Sequence, residues 1–106
     1  MLKKIIKKIS VKDSSQPKNI VNAYNEKCFF VHNGPVLCNL PDLLRELKYM
    51  SDAQFTHHVN REKNDFANWV EEVLQDRECA RALKKANTPK KAAEVVEKHL
   101  KETYSV

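Results

Sequence analysis

The chain has 106 residues, 31% of them charged and only one of them glycine. That length allows one domain with one modest core. With Gly34 as its lone glycine, the chain cannot build the usual phosphate-cradling loop, dinucleotide-binding turn or nucleophile elbow, which need glycines where the backbone meets a ligand or takes positive φ.

No apolar run approaches the ~20 residues that cross a bilayer. Lysines interrupt every apolar pair in residues 2–9, where a signal peptide needs an unbroken apolar stretch. Cys28, Cys38 and Cys79 are odd in number and scattered, unlike a secreted disulfide framework. The expectation is a cytosolic, non-catalytic domain without a cofactor or a small-molecule substrate.

The formal charge of +5 is concentrated at one end. Residues 1–18 carry Lys3, Lys4, Lys7, Lys8, Lys12 and Lys18 against the single acid Asp13, which accounts for all of it; residues 19–106 hold 13 basic and 13 acidic side chains and are neutral. On a helical wheel Leu2, Ile5, Ile6 and Ile9 share one face of this arm, and Lys3, Lys4, Lys7 and Lys8 take the other. A segment this short does not hold a helix alone in water and needs a surface to fold on. Its lysines suit nucleic acid, through counterion release. Its apolar stripe suits a groove on another protein or on a second copy. A membrane surface is disfavoured, because so short a stripe buries little apolar area. Residues 10–19 are a polar linker with the helix-stopping Pro17. The organisation read from this is a basic arm and linker over 1–18 and a single helical domain over 19–106.

Two β-prone runs, Cys28-Phe29-Phe30-Val31 and Val36-Leu37-Cys38, flank His32-Asn33-Gly34-Pro35, and Asn-Gly between such runs predicts a hairpin. Pro35 limits the second strand to a stub or an edge. A two-residue loop points Cys28 and Cys38 to opposite faces, whereas a three-residue loop sets them across from each other. Leu40, Leu43, Leu44, Leu47 and Met50 then recur at helical spacing, with Pro41 in the first turn. Ser51 and Gln54 form a capping box, and Met50 with Phe55 a hydrophobic staple, so a second helix runs from Asp52 to about Asn60. Asn64 or Asp65 caps a third, with Phe66, Trp69, Val70, Val73 and Leu74 inward. Asp76 starts a fourth carrying Cys79, Ala80 and Leu83. Thr88-Pro89 opens a fifth, with Ala92, Ala93, Val96 and Leu100 inward. The predicted fold is mainly α: a compact bundle of about five short helices with a β-hairpin at the edge.

Phe29-Phe30 before His32-Asn33-Gly34, then Leu40 with Leu43-Leu44, Phe55-Thr56-His57-His58-Val59-Asn60, Lys63-Asn64-Asp65-Phe66-Ala67-Asn68-Trp69-Val70, and Asp76 with Cys79-Ala80, resemble a small archaeal and bacterial domain family of unknown function. In that family a hairpin precedes a helix, a Phe-x-x-His-Val-Asn segment and an Asn-Asp-Phe-Ala-Asn-Trp segment, and copies occur alone or attached to larger proteins. The resemblance covers residues 29–83 and leaves out the arm. It implies a stand-alone helical module in a prokaryote and supplies no catalytic residues.

Four histidines and three cysteines prompt a search for a metal site, but no Cys-x-x-Cys or His-x-x-x-His pair exists. Adjacent His57 and His58 cannot share a helix face. The reading is no metal: Cys28 and Cys38 act as small hydrophobes, and His58 hydrogen-bonds near the end of the second helix. Trp69, Phe66 and Phe55 fall at core spacing rather than forming a stacking platform for bases. Lys84, Lys85, Lys90 and Lys91 straddle a tight turn in the outline of a helix-turn-helix and join the arm lysines as candidate phosphate contacts. Glu94, Glu97 and Glu102 on the last helix speak against that helix entering a groove. The expected function is a non-catalytic module whose basic arm engages a polyanion, nucleic acid first and with little sequence preference. The alternative is a protein–protein adaptor or self-associating module that uses the apolar stripe.

Overall fold

Each α-helix begins where a side chain accepts a hydrogen bond from the amide three residues on. In the computed structural model, which describes residues 18–104, Asn39 caps α1 (Leu40–Leu47) and Ser51 caps α2 (Asp52–His58). Asn64 caps α3 (Asp65–Glu72), Asp76 caps α4 (Arg77–Leu83) and Thr88 caps α5 (Pro89–His99). Each cap satisfies an amide that has no partner inside its own helix. Pro41 and Pro89 sit in first turns, where a missing N–H breaks nothing.

Four boundaries differ from the expectation; α1 ends at Leu47 and α3 at Glu72, so Met50, and Val73 with Leu74, pack on the core from beyond their helices. α2 stops at His58, because Val59 is extended and bridges Asn64 across a tight turn. Asn60 closes that turn: its amide donates to the Lys63 carbonyl, and its side chain accepts from the Glu62 and Lys63 amides. Leu100 lies beyond α5 in a π turn, Leu100–Tyr104, that continues the helix and buries Tyr104.

The hairpin is two short antiparallel strands, β1 (Phe29–Phe30) and β2 (Val36–Leu37), with Phe29 opposite Leu37 and Phe30 opposite Val36. That register selects the three-residue loop. Val31 N–H donates to Pro35 O and Gly34 N–H to Val31 O, while Asn33 takes the left-handed backbone at φ 54°. Asparagine tolerates that region, so the turn's positive φ does not fall on the glycine. Gly34 is needed for room: a Cβ there would sit 2.9 Å from Val31 Cγ1 and 3.2 Å from Gln54 Nε2. The hairpin docks through Phe29, which stacks on Phe66 at 4.8 Å and meets Trp69 edge-on at 5.7 Å. Trp69 in turn donates Nε1–H to the Lys27 carbonyl at 2.8 Å, in the short 3-10 turn Asn25–Lys27.

The helices close one core. α3 packs on α4, and α5 packs on both α4 and α1. Ala92, Ala93 and Val96 form the inner face of α5 as predicted, and Phe55, Phe66 and Trp69 are all buried. No helix of the described residues is long and apolar enough to cross a membrane.

One buried charge ties this core together. Asp76 is 1% exposed. Its Oδ1 accepts the Cys79 amide at 3.0 Å, and its Oδ2 accepts His99 Nε2 at 2.7 Å and the Tyr104 hydroxyl at 2.5 Å. Burial alone would raise the Asp76 carboxyl; the donors from His99, Tyr104 and Cys79 outweigh it and hold Asp76 well below the usual carboxylate range. Burial, and then the bond to Asp76, push the Tyr104 hydroxyl above the usual tyrosine range.

Two outcomes are expected in unfolding experiments. Ser51→Ala should lower stability by ~1 kcal/mol, and Trp69→Ala by ~3–5 kcal/mol; a Trp69→Ala chain with the parent's denaturant midpoint would remove Trp69 from the core. Asp76→Ala should cost ~3–5 kcal/mol, because it leaves buried donors unpaired. A carboxylate held low by folding stabilises fully above its ordinary value of 3.8, and loses that contribution as pH falls further. Acid unfolding of the parent should therefore steepen below 3.8, and that steepening should be absent in Asp76→Asn.

Candidate nucleic-acid interface

The turn between α4 and α5 is built by backbone bonds from Lys84, Lys85 and Ala86 amides back to Ala80, Ala82 and Leu83 carbonyls, with Ala86 buried beneath it. The turn fans out the four lysines that straddle it. Lys84 turns to α3, where its Nζ lies 3.6 Å from Glu71 Oε1. There it lines a polar basin with Arg61, Lys63, Asn68 and Asn87. Lys90 goes the other way, into a cleft between α1 and α5 that also holds Asp52, Glu94 and Glu97. Only Lys85 and Lys91 come together.

They meet at a groove of about 390 Å³ between α4 and α5, floored by Ala82, Ala86 and Val95. Lys98 completes it. The sequence reading passed over Lys98, although Lys91, Val95 and Lys98 stand at i, i+4 and i+7 and so share one face of α5. The acids on α5 are unevenly placed. Glu97 faces α1, 3.9 Å from Lys48 Nζ and 3.6 Å from Lys101 Nζ. Glu94 stands at the rim of the groove. Three lysines and one glutamate leave the groove basic, while on its far side Lys98 borders Glu97, Lys101 and Glu102.

Lys18 is exposed, and its amide donates to the Thr103 carbonyl at 3.0 Å. The arm therefore joins the domain at the π turn that extends α5. Lys3, Lys4, Lys7, Lys8 and Lys12, with Leu2, Ile5, Ile6 and Ile9, lie outside the described residues.

Three of the four histidines, His32, His57 and His58, gather around the hairpin loop. His58 is buried, with Nε2 accepting the His32 amide at 3.0 Å and Nδ1 at 3.0 Å from Asp65 Oδ2. An acceptor role for Nε2 places the hydrogen on Nδ1, so both ring nitrogens are used. Exposed His57 stacks on His32 at 3.8 Å, nearly parallel. Partial desolvation and then the charges of His32, His58 and Lys63 lower the His57 value from 6.5, against an opposing pull from Asp65. Among the described residues no group of three or more His, Cys, Asp and Glu side chains is placed to hold a metal ion. Cys79 is fully buried, and burial followed by the charges of Asp76 and Glu78 pushes its thiol up to about 12, the opposite of an activated nucleophile.

Comparison with protein-family models, with curated proteins and with solved structures finds no match to this chain.

A pH titration of the histidine ring protons by NMR should place His57 below 6.5, and His32→Ala should move it back towards 6.5. A His57 that titrates at or above 6.5 in the parent would contradict the stacked arrangement.

Proposed function

We propose that the chain is a non-catalytic binding module in which the basic arm and the open lysine face of α5 engage a polyanion, nucleic acid first, through phosphates and with little sequence preference. The observation that carries this reading is where the arm attaches. Lys18 is bonded to Thr103, at the end of the helix that bears Lys91 and Lys98. The charge of the arm and the charge of the groove can then bear on one ligand. Phosphate contacts of this kind position a protein without reading bases. The paired Lys84 and the acid-flanked Lys90 contribute less.

A protein partner is the second reading. Phe30 and Val36 face each other across the hairpin and are 61% and 47% exposed, an exposed apolar pair. A partner that covers them could also take the Leu2, Ile5, Ile6 and Ile9 stripe.

The two readings differ in their response to salt. Affinity for random-sequence duplex should fall with a log–log salt slope of roughly −0.9 per phosphate contacted, about −6 if four arm lysines and the three groove lysines engage. In the full chain, Lys3, Lys4, Lys7 and Lys8 changed together to Gln should flatten that slope by about four. Lys85, Lys91 and Lys98 changed to Ser should flatten it by a further two to three, on the order of one per lost contact. Equal binding by the parent and both variants, or no binding at low salt, would end the nucleic-acid reading. A partner lost on Ile5→Ser with Ile6→Ser, and indifferent to salt, would favour the adaptor.

A further inference from the structure

The register that sets Phe29 opposite Leu37 sets Cys28 opposite Cys38 one rung further from the turn. Val31 N–H bonds to Pro35 O, so the rungs alternate outward from a hydrogen-bonded pair, and Cys28/Cys38 falls on a non-hydrogen-bonded rung. The backbone agrees: the Cys28 amide donates to Asn25 O and the Cys38 amide to Asp42 Oδ2, neither across the ladder. On such a rung Cα atoms stand ~4.5 Å apart, inside the ~4.4–6.8 Å that a disulfide spans. Both cysteines are free thiols; Cys28 is buried and Cys38 half-buried.

We propose that Cys28 and Cys38 form a redox modification site, a cross-strand dithiol that closes to a disulfide on meeting a low-molecular-weight disulfide of the glutathione class. Cys38, the more accessible sulfur, loses its proton to solvent and attacks first. One S–S bond of the small disulfide breaks, one small thiolate leaves, and Cys38 is held in a mixed disulfide. Cys28 then loses its proton to solvent and attacks the Cys38 sulfur, expelling the second small thiolate. Two protein thiols are oxidised, and one small disulfide is reduced to two thiols. The order of attack fits the electrostatics. A hydrogen bond to Cys38, burial, and the charges of Cys38 and Asp42 push the Cys28 thiol up to about 11, so Cys28 stays protonated while both are reduced. Cys79 takes no part, being enclosed in the core.

The test treats the full chain with oxidised glutathione, quenches with an alkylating agent, and reads intact mass and linked peptides. The expected product is a monomer lighter by two hydrogens, with the peptides of Cys28 and Cys38 joined and no glutathione retained. Cys28→Ser should stall at a stable glutathione adduct on Cys38. Cys38→Ser should react at Cys28 at least about tenfold more slowly, as expected of a buried thiol. A parent chain that keeps a glutathione adduct, keeps all three thiols alkylatable, or forms a disulfide-linked dimer overturns the proposal. The parent's own product decides the matter, whether or not a variant folds.

Discussion

A carboxylate buried in a core must find donors for its oxygens, and Asp76 finds them in three separate places. The Cys79 amide belongs to the first turn of α4, His99 to the last residue of α5, and Tyr104 to the π turn beyond it. None of these partners is replaceable by water, since Asp76 is sealed from solvent. The charge is tolerated only when α4, α5 and the π turn are in register together. An apolar side chain of similar volume could fill the same space without that demand, and such replacements are often neutral or even stabilising. What the carboxylate adds is direction. Its bonds join the first turn of α4 to the last residue of α5 and to the π turn, whose Thr103 carbonyl holds the Lys18 amide.

The hairpin is held by a different economy of contacts. Two rungs of ladder are too few to stand alone, and apolar burial comes from Cys28, Phe29, Val31 and Leu37. Polar clasps supply the rest. Gln54 is the most economical of them: its Oε1 accepts the Ser51 amide in the capping box, while its Nε2 donates to the His32 and Asn33 carbonyls at 3.1 and 3.2 Å. One side chain thus starts α2 and fastens the loop. His58 at the other end of α2 holds the His32 amide, and Trp69 holds the Lys27 carbonyl. Each clasp meets a backbone group that the short ladder leaves without a partner.

The pattern of what could be read in the sequence follows from range. Helix starts are local events, so Ser51 with Gln54, Asn64, Asp76 and Thr88 announce them within four residues. The inner faces of α3 and α5 are periodic and equally legible. Asp76 was legible as a helix start and no more, because His99 and Tyr104 lie 23 and 28 residues away and nothing local marks them as its partners. The second task of Gln54 was hidden for the same reason, as its carbonyl partners are 21 and 22 residues upstream. The hairpin loop length turned on Asn33 rather than Gly34 taking the left-handed conformation. Among the lysines, adjacency in sequence misled: Lys84 beside Lys85 and Lys90 beside Lys91 point to different surfaces, as neighbours about 100° apart on a helix must. Lys98, seven residues from Lys91, was the better companion.

The bond between the Lys18 amide and the Thr103 carbonyl has a mechanical consequence. Tension applied to the chain through these two points enters and leaves the domain at one spot, so it acts first on a single hydrogen bond rather than shearing the whole core. Once that bond opens, the load peels the π turn away from the bundle, and the next contact in its path is Tyr104 on Asp76. A load on these two points therefore meets the seam before it meets the core.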